Sequence, residues 1–108
     1  MNEGIVLKRP VARFDLAACY AYIGERNPDA AYRFRMAAEA TFAALAASPG
    51  IGTPYEVENP RLAGLRCSRV NRFRNYLIFY LTIEGGIEVI RILHAARDIR
   101  AILEDEHE

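Results

Sequence analysis

The segment that decides the fold runs from Tyr76-Leu-Ile-Phe-Tyr-Leu-Thr-Ile83 through Gly85-Gly86 to Ile87-Glu-Val-Ile-Arg-Ile-Leu93. Its two outer parts are rich in β-branched, aliphatic and aromatic residues, which favour β-strands. The Gly-Gly pair between them is typical of a hairpin turn. The second strand then ends abruptly in His-Ala-Ala-Arg-Asp over residues 94–98. Polar residues at the end of a strand are free to face a partner or ligand, so this corner is the first candidate for a functional surface.

The N-terminal half has the pattern of one strand followed by two helices. Ile5-Val6-Leu7 is long enough for a strand, and Pro10 can open the first helix. Asn27-Pro28-Asp29 predicts the start of a second helix, with an N-cap, a proline in the first turn and an acidic residue near the positive helix end. Gly24 and Asn27 are expected to close the first helix. Apolar residues at helical spacing lie on one face of each helix: Leu16, Cys19, Tyr20 and Ile23 in the first, and Ala31, Phe34, Ala38, Phe42 and Leu45 in the second.

The second half is predicted to be mainly β-structure. Ser48-Pro49-Gly50 ends the second helix, and residues 49–64 are read as a loop because they are rich in proline and glycine. Leu65 to Val70 is a further candidate strand, and Asp98 is the predicted N-cap of a short helix that ends near Leu103. The predicted fold is therefore α+β: two N-terminal helices packed on a mostly antiparallel four-stranded sheet, in the order β-α-α-β-β-β with a short C-terminal helix.

Size and composition limit the class of protein. A chain of 108 residues suits a single domain over residues 1–108. Its 52% of hydrophobic residues is too high for a disordered chain. No apolar run approaches the roughly 20 residues that cross a membrane, and the N-terminus lacks the pattern of a signal peptide. A cytoplasmic location with no membrane contact is the expectation.

Charge is unevenly distributed although the net charge is zero. The segment from Arg61 to Arg100 holds eight arginines and three acidic residues, a net charge of +5, whereas the last five residues hold four acidic ones. The basic half is suited to nucleic acid or to an acidic protein segment. Alternatively, the acidic tail simply neutralises it. Arg72 and Arg74, on either side of Phe73 in a predicted turn, are interpreted as solvated, with phosphate contact as the alternative.

The common catalytic and metal-binding patterns are missing from the sequence. His94 and His107 are the only histidines, and no cysteine or carboxylate pair stands at metal-ligand spacing near them. Cys19 and Cys67 are too far apart in sequence for a C-x-x-C site and are interpreted as free thiols. Neither a nucleophile elbow nor a phosphate-binding glycine loop occurs. We therefore expect no metal, no cofactor and no classical hydrolase site.

One arginine interrupts the apolar pattern of the last strand. Arg91 is predicted to lie on the same strand face as Val89 and Leu93. A cation among apolar neighbours lies at the rim of the sheet or is paired with an acid. Glu88 and Asp15 are the two candidate partners.

Taken together, the motifs resemble the RelE/ParE toxins of bacterial type II toxin–antitoxin systems, in their ParE-like branch. The resemblance covers nearly the whole chain. Its matching motifs, in order, are Asp15-Leu16, Tyr22-Ile23, Leu45 with Pro49 and Gly52, Leu65-Arg66, the strand Tyr76-Leu-Ile-Phe-Tyr80, and the C-terminal Arg91-Ile-Leu93-His94-Ala-Ala-Arg97-Asp98.

The resemblance leaves the mode of action open between two branches. RelE-like toxins are ribosome-dependent mRNA endonucleases, which need several cations and a proton acceptor for phosphoryl chemistry. Here Leu77 and Ser68 stand where that branch has basic groups, no tyrosine follows Tyr80, and Arg66 and Arg97 are the cations that remain. ParE-like toxins lack the same set and poison DNA gyrase by binding. The resemblance therefore favours a gyrase-binding toxin neutralised by a cognate antitoxin. The alternatives are an mRNA endonuclease acting on the ribosome and an inactive relic of the toxin fold.

These interpretations give two groups of candidate residues and no catalytic residue. Local hydrogen bonding at the strand end is the alternative role for His94, and an exposed ion pair is the alternative for Arg97 and Asp98. The candidates for target binding are Arg66, His94, Arg97 and Asp98, and the candidates for antitoxin binding are Leu16, Tyr20, Ile99 and Leu103.

Overall fold

The protein is an α+β structure in which two long helices cover one face of a mixed sheet. The computed structural model describes residues 4–107. The strands are β1 (Ile5–Lys8), β2 (Thr53–Pro54), β3 (Arg66–Val70), β4 (Phe73–Ile83) and β5 (Gly86–His94), and the helices are α1 (Pro10–Arg26), α2 (Pro28–Ala47) and α3 (Ile99–Glu104). The strand order is β1-β5-β4-β3-β2. β1 is parallel to β5 and all other pairs are antiparallel.

The predicted fold class is confirmed, with one more strand than expected. Thr53 and Pro54 lie in the predicted loop of residues 49–64, where they pair with Cys67 and Arg66 of β3. A two-residue strand that includes a proline has no detectable strand pattern, and it lies at the sheet edge, where proline is tolerated.

The tight turn between the helices depends on one asparagine. Asn27 follows α1 directly, and its side-chain Oδ1 accepts a hydrogen bond of 3.1 Å from the backbone N–H of Ala30 in α2. The predicted N-cap is therefore confirmed. The prediction that Gly24 helps to close α1 is wrong, because the helix continues to Arg26. A Cβ atom at Gly24 would lie 3.4 Å from the Cβ of Ala31, so the glycine allows the helices to approach closely.

Two hydrophobic clusters form the core, one on each face of the sheet. The cluster under the helices contains the fully buried Phe34, Phe42 and Tyr80. The second contains Leu62, Phe79, Ile90, Leu93 and Leu103, and it is covered by the segment before β3 and by α3. The sheet is thus protected on its second face by short elements instead of long helices.

A bulge changes the direction of side chains near the end of β5. Phe79 pairs with Arg91 and Tyr80 pairs with Val89, so Ile90 has no partner in the register. Because a bulge inserts one residue, Arg91 lies on the same face as Leu93 but on the opposite face from Val89. The prediction that all three share a face is therefore wrong for Val89.

Glycine at the β4–β5 turn also allows β1 to join the sheet. The turn residues are Glu84 and Gly85, and β5 already begins at Gly86, so both the turn and the strand start lie one residue earlier than predicted. A Cβ atom on Gly86 would overlap the backbone of Ile5. The missing side chain lets β1 pair in parallel with the start of β5. Within residues 4–107, no helix has both the length and the hydrophobicity needed to cross a lipid bilayer.

Candidate functional site

A largely apolar groove lies between α1 and the C-terminal end of β5, and we call it the C-terminal groove. Two of the predicted target-binding residues, His94 and Arg97, line it together. The remaining lining residues come mostly from one face of α1 and from β4 and β5: Asp15, Ala18, Cys19, Tyr22, Tyr76, Ile92 and Ala96. The groove therefore combines aromatic and thiol walls with one imidazole and one guanidinium.

His94 is oriented by the turn that follows it. Its Nδ1 accepts a hydrogen bond of 3.0 Å from the backbone N–H of Ala96, and its ring meets the ring of Tyr76 edge-on with centroids 5.0 Å apart. When the ring is neutral, its proton must therefore be on Nε2. Local hydrogen bonding, the alternative role named above, is thus present, and it leaves Nε2 free to donate to a partner.

Arg97 and Asp98 have different environments although they are neighbours. Arg97 is exposed, and no ion pair within residues 4–107 involves it. Asp98 instead caps α3: its Oδ1 accepts a hydrogen bond of 3.4 Å from the N–H of Ala101. The predicted N-cap role of Asp98 is confirmed. Of this pair, Arg97 has the side chain that is available to a partner.

An ion-pair network at one end of the C-terminal groove joins α1, β5 and the C-terminal segment. Arg91 forms two hydrogen bonds with Asp15, Nε to Oδ2 at 2.7 Å and Nη2 to Oδ1 at 2.9 Å. Its Nη1 donates to Glu106 at 3.2 Å, and Asp15 also accepts the N–H of Ile92 at 3.0 Å. The hydrogen bonds that Arg91 donates to Asp15 raise the pKa of Arg91. Of the two candidate partners named above, Asp15 is therefore the one found.

Two groups of the groove wall, the Cys19 thiol and the Tyr76 hydroxyl, are neutral at physiological pH. Burial raises the pKa of the Cys19 thiol to about 11, with a further contribution from the nearby charge of Asp15, whereas Arg97 acts in the opposite direction. Burial also raises the pKa of Tyr76. A protonated thiol is a poor nucleophile. The C-terminal groove is therefore built for shape and hydrogen bonding.

A second groove lies between α1 and α2, on the side of α1 that carries Leu16 and Tyr20, and we call it the helix groove. These two predicted antitoxin-binding residues line it with Ala17. The charged residues at its rim are Lys8, Arg13, Arg35 and Glu39. Because Lys8 and Glu39 pair with each other at 3.4 Å, the groove has an apolar floor and a net positive rim.

The other predicted site residues lie apart from both grooves. Arg66 donates from Nη1 to the backbone carbonyls of Gly50 and Gly52, so its side chain stabilises the segment after α2. Ile99 is half-buried, and Leu103 is fully buried in the second core cluster. The folded chain thus presents Leu16 and Tyr20 to a partner, but not Leu103.

Several residues of the C-terminal groove were not selected from the sequence. Tyr22 is 53% exposed on α1, and Tyr76 is the first residue of β4 that pairs with β5, opposite His94. Helical spacing could have identified two of them, because Cys19 and Tyr22 follow Asp15 by four and seven residues and therefore lie on the same face of α1. The pairing of Tyr76 with His94 depends on the register of the hairpin, which the sequence does not specify.

The structure is a small α+β domain with a polar corner at the end of β5, as the resemblance to ParE-like toxins implies. The family model described as ParE toxin of type II toxin-antitoxin system, parDE, matches residues 6–99. The chain therefore belongs to the ParE toxin family. A solved structure described as "Chromosomal ParDE TA system from P. aeruginosa" has a chain that is 18% identical, with a TM-score of 0.67. That match covers 85% of this chain and 96% of the other. No curated protein sequence matches significantly.

Proposed function

We propose that this chain is a toxin that inhibits DNA gyrase by binding it through the C-terminal groove, and that a cognate antitoxin neutralises it. Membership of the ParE family supports the toxin role, and a gyrase target places its action in the cytoplasm. Arg97 is the exposed cation of the groove, and His94 offers Nε2 as a hydrogen-bond donor. The wall formed by Cys19, Tyr22 and Tyr76 provides the apolar and aromatic area that dominates protein interfaces.

The separation of the remaining cations is the observation that favours binding over mRNA cleavage. Arg66 lies opposite Tyr80 on one side of β4. Arg97 instead follows the end of β5, whose last residue, His94, lies opposite Tyr76 on the other side of β4. Four residues of strand span about 13 Å, and the two positions are also separated by the width of β4. An RNase needs its cations around a single phosphate. Here Arg66 is also hydrogen-bonded to the Gly50 and Gly52 carbonyls.

The test compares two activities of one purified protein. Gyrase supercoiling of plasmid DNA should stop when the toxin is added, with gyrase trapped on cleaved DNA, while a reporter mRNA on translating ribosomes stays intact. Arg97→Ala should weaken gyrase inhibition at least about tenfold, the scale of a lost hot-spot contact. The matched control is Arg33→Ala, an exposed arginine on α2. Codon-positioned mRNA cuts with unaffected supercoiling would overturn the proposal in favour of the endonuclease.

The helix groove is the proposed site for the antitoxin. Its exposed Tyr20 and half-buried Leu16 offer apolar surface, and the positive rim of Arg13 and Arg35 favours an acidic partner. We propose that an amphipathic, acidic segment of the antitoxin folds onto this groove.

Co-purification of toxin and antitoxin tests this site. Tyr20→Glu places a charge in the groove and should weaken the complex by at least about tenfold. Tyr32→Glu is the matched control, since Tyr32 is 61% exposed on α2 and does not line the groove. If both variants lose binding equally, or if neither variant loses binding, the antitoxin does not bind in this groove.

A further inference from the structure

The β3–β4 hairpin has a concentration of positive charge that the proposed toxin and antitoxin contacts do not use. Arg69, Arg72 and Arg74 are all exposed at its tip. No aspartate or glutamate occurs from residue 60 to residue 83. Within residues 4–107, no carboxylate lies at ion-pair distance from any of the three guanidinium groups. These cations are therefore free to bind an anion.

Backbone conformation gives a second, independent observation at the same place. Arg72 has φ = 70° and is the only non-glycine residue with positive φ among residues 4–107. This left-handed conformation favours glycine or asparagine and is costly for other residues. Strained residues of this kind concentrate at functional sites. Arg72 is the second residue of the two-residue turn between β3 and β4, a position at which turns often require positive φ. An arginine thus stands at the exposed tip where glycine or asparagine would be less strained.

A shallow depression beside the tip carries the donors that a phosphate group needs. Arg69 and Arg74 line it with the hydroxyl groups of Thr53 and Ser68, and no acidic residue lines it. Arg69 Nη1 donates to the backbone carbonyl of Arg74 at 2.6 Å, which fixes its side chain across the hairpin. The other N–H groups of Arg69 remain available, because a guanidinium has five.

The neutral groups around the depression add no negative charge to oppose an anion. Burial raises the pKa of the Cys67 thiol to about 11, although the nearby Arg69 acts in the opposite direction. The thiol is therefore protonated at neutral pH. Guanidinium and hydroxyl donors without acidic neighbours are the chemistry that binds phosphate oxygens.

We propose that the β3–β4 hairpin tip, through Arg69, Arg72 and Arg74, binds the phosphate backbone of duplex DNA. The choice of DNA as partner rests on the proposed function, because gyrase acts on a DNA segment that a bound toxin would adjoin. The inference assigns this chain a direct contact with that segment, separate from the C-terminal groove and from the helix groove.

The aromatic residues near the tip favour a duplex over single strands. Proteins that bind single strands stack exposed aromatic rings on bases. Phe73 instead meets Phe34 edge-on at 5.3 Å in the core, and Tyr55 meets Phe79 at 5.2 Å with Arg100 over its ring. Both rings are half-buried and engaged in aromatic contacts within the fold. A surface with cations but no stacking platform suits a backbone contact.

The experiment measures binding of the purified toxin to a fluorescent 20-base-pair duplex without gyrase, over a range of salt concentrations. Three phosphate contacts predict a slope of about −2.7 in log K against log salt. Replacing Arg69, Arg72 and Arg74 together by Gln should weaken binding at least about tenfold at low salt and bring the slope close to zero. The matched control replaces three other exposed arginines, Arg26, Arg33 and Arg61, and should change affinity by less than about threefold, the effect of net charge alone.

The remaining outcomes are each decisive once thermal unfolding shows that both triple variants are folded. Equal losses in the two variants would overturn the proposal, as would no duplex binding at low salt. Tighter binding to single-stranded RNA of the same length, or equal competition by polyglutamate at matched charge, would also overturn it. Duplex binding without gyrase inhibition would contradict only the proposed function. Gyrase inhibition by wild-type toxin that binds no duplex would contradict only the present inference.

Discussion

Arg91 on β5 and Asp15 on α1 form a two-fold hydrogen-bonded ion pair, with N–O distances of 2.7 and 2.9 Å. The pair lies where β1 has ended and the edge of β5 is otherwise unpaired. There Asp15 also accepts the backbone N–H of Ile92 at 3.0 Å. The Asp15 carboxylate thus holds α1 against the sheet and also supplies the hydrogen-bond acceptor for a backbone N–H at the edge of β5. Through Glu106, Arg91 also holds the C-terminal segment.

Removing the charge of Asp15 should destabilise the fold. Both side chains are nearly buried, with 11% of Asp15 and 14% of Arg91 exposed, so Asp15→Asn leaves a poorly compensated cation. We expect a loss of about 2 to 3 kcal/mol in the free energy of unfolding, measured with urea. Glu39→Gln, which removes the surface pair with Lys8, is the matched control and should cost less than about 1 kcal/mol. Similar losses in both variants would mean that burial does not strengthen the Arg91 pair.

The two neighbours at the end of β5 should separate stability from toxicity. Asp98→Ala removes the N-cap of α3 and should cost about 1 kcal/mol. Arg97→Ala changes an exposed side chain and should alter stability by less than about 0.5 kcal/mol, while growth arrest on induction is lost. The measurements are thermal unfolding and growth after induction. If Arg97→Ala unfolds the protein or leaves growth arrest at full strength, the residues at the end of β5 have a structural role and do not contact the target.

A buried tyrosine hydroxyl should be needed for the segment after α2. Tyr80 donates to the carbonyl of Pro49 at 2.6 Å and accepts from the N–H of Gly52 at 2.9 Å. Tyr80→Phe leaves both backbone groups without this partner and should cost about 2 kcal/mol in urea unfolding. Tyr32→Phe, at an exposed position, should have almost no effect. A neutral result for Tyr80→Phe would indicate that water replaces the hydroxyl.

Sequence reasoning succeeded where the physical signal is local. The asparagine cap at Asn27 and the aspartate cap at Asp98 depend on neighbouring residues, and both were predicted. The ion pair of Arg91 with Asp15 joins distant residues, but it was also among the alternatives because a cation in an apolar strand needs an acid.

Features that depend on pairing between distant segments were missed. The strand at Thr53–Pro54 exists because β3 lies beside it, and the bulge at Ile90 is a property of the register between β4 and β5. The same register brings Tyr76 to His94 in the C-terminal groove. Leu103 is buried because α3 packs on the sheet. A helix of six residues is too short for its sequence to predict which face is buried.

The two thiols should make stability sensitive to alkaline pH. The pKa values of Cys19 and Cys67 are raised from 9.0 to about 11, chiefly by burial. A group whose pKa is higher in the folded state contributes stability below pH 9, and this contribution is lost as the pH rises towards 11. Replacing both cysteines by alanine should therefore flatten the fall in unfolding free energy between pH 9 and 11. An equally steep fall in the double variant would show that other groups cause it.

The strained turn residue should trade stability for DNA affinity. Because Arg72 has φ = 70°, Arg72→Gly relieves a conformation that is costly for an arginine, and the free energy of unfolding should rise by up to about 1 kcal/mol. The matched change is Asn71→Gly, at the neighbouring turn residue, which has negative φ. This change should lower the free energy of unfolding, because glycine there only adds entropy to the unfolded chain. Urea unfolding measures both effects. Duplex binding by Arg72→Gly should weaken, and its salt slope should become shallower by about 0.9, the loss of one phosphate contact. A variant that is more stable and binds DNA as well as the wild type would show that Arg72 is not needed for the contact and that the strain at the tip has no part in it.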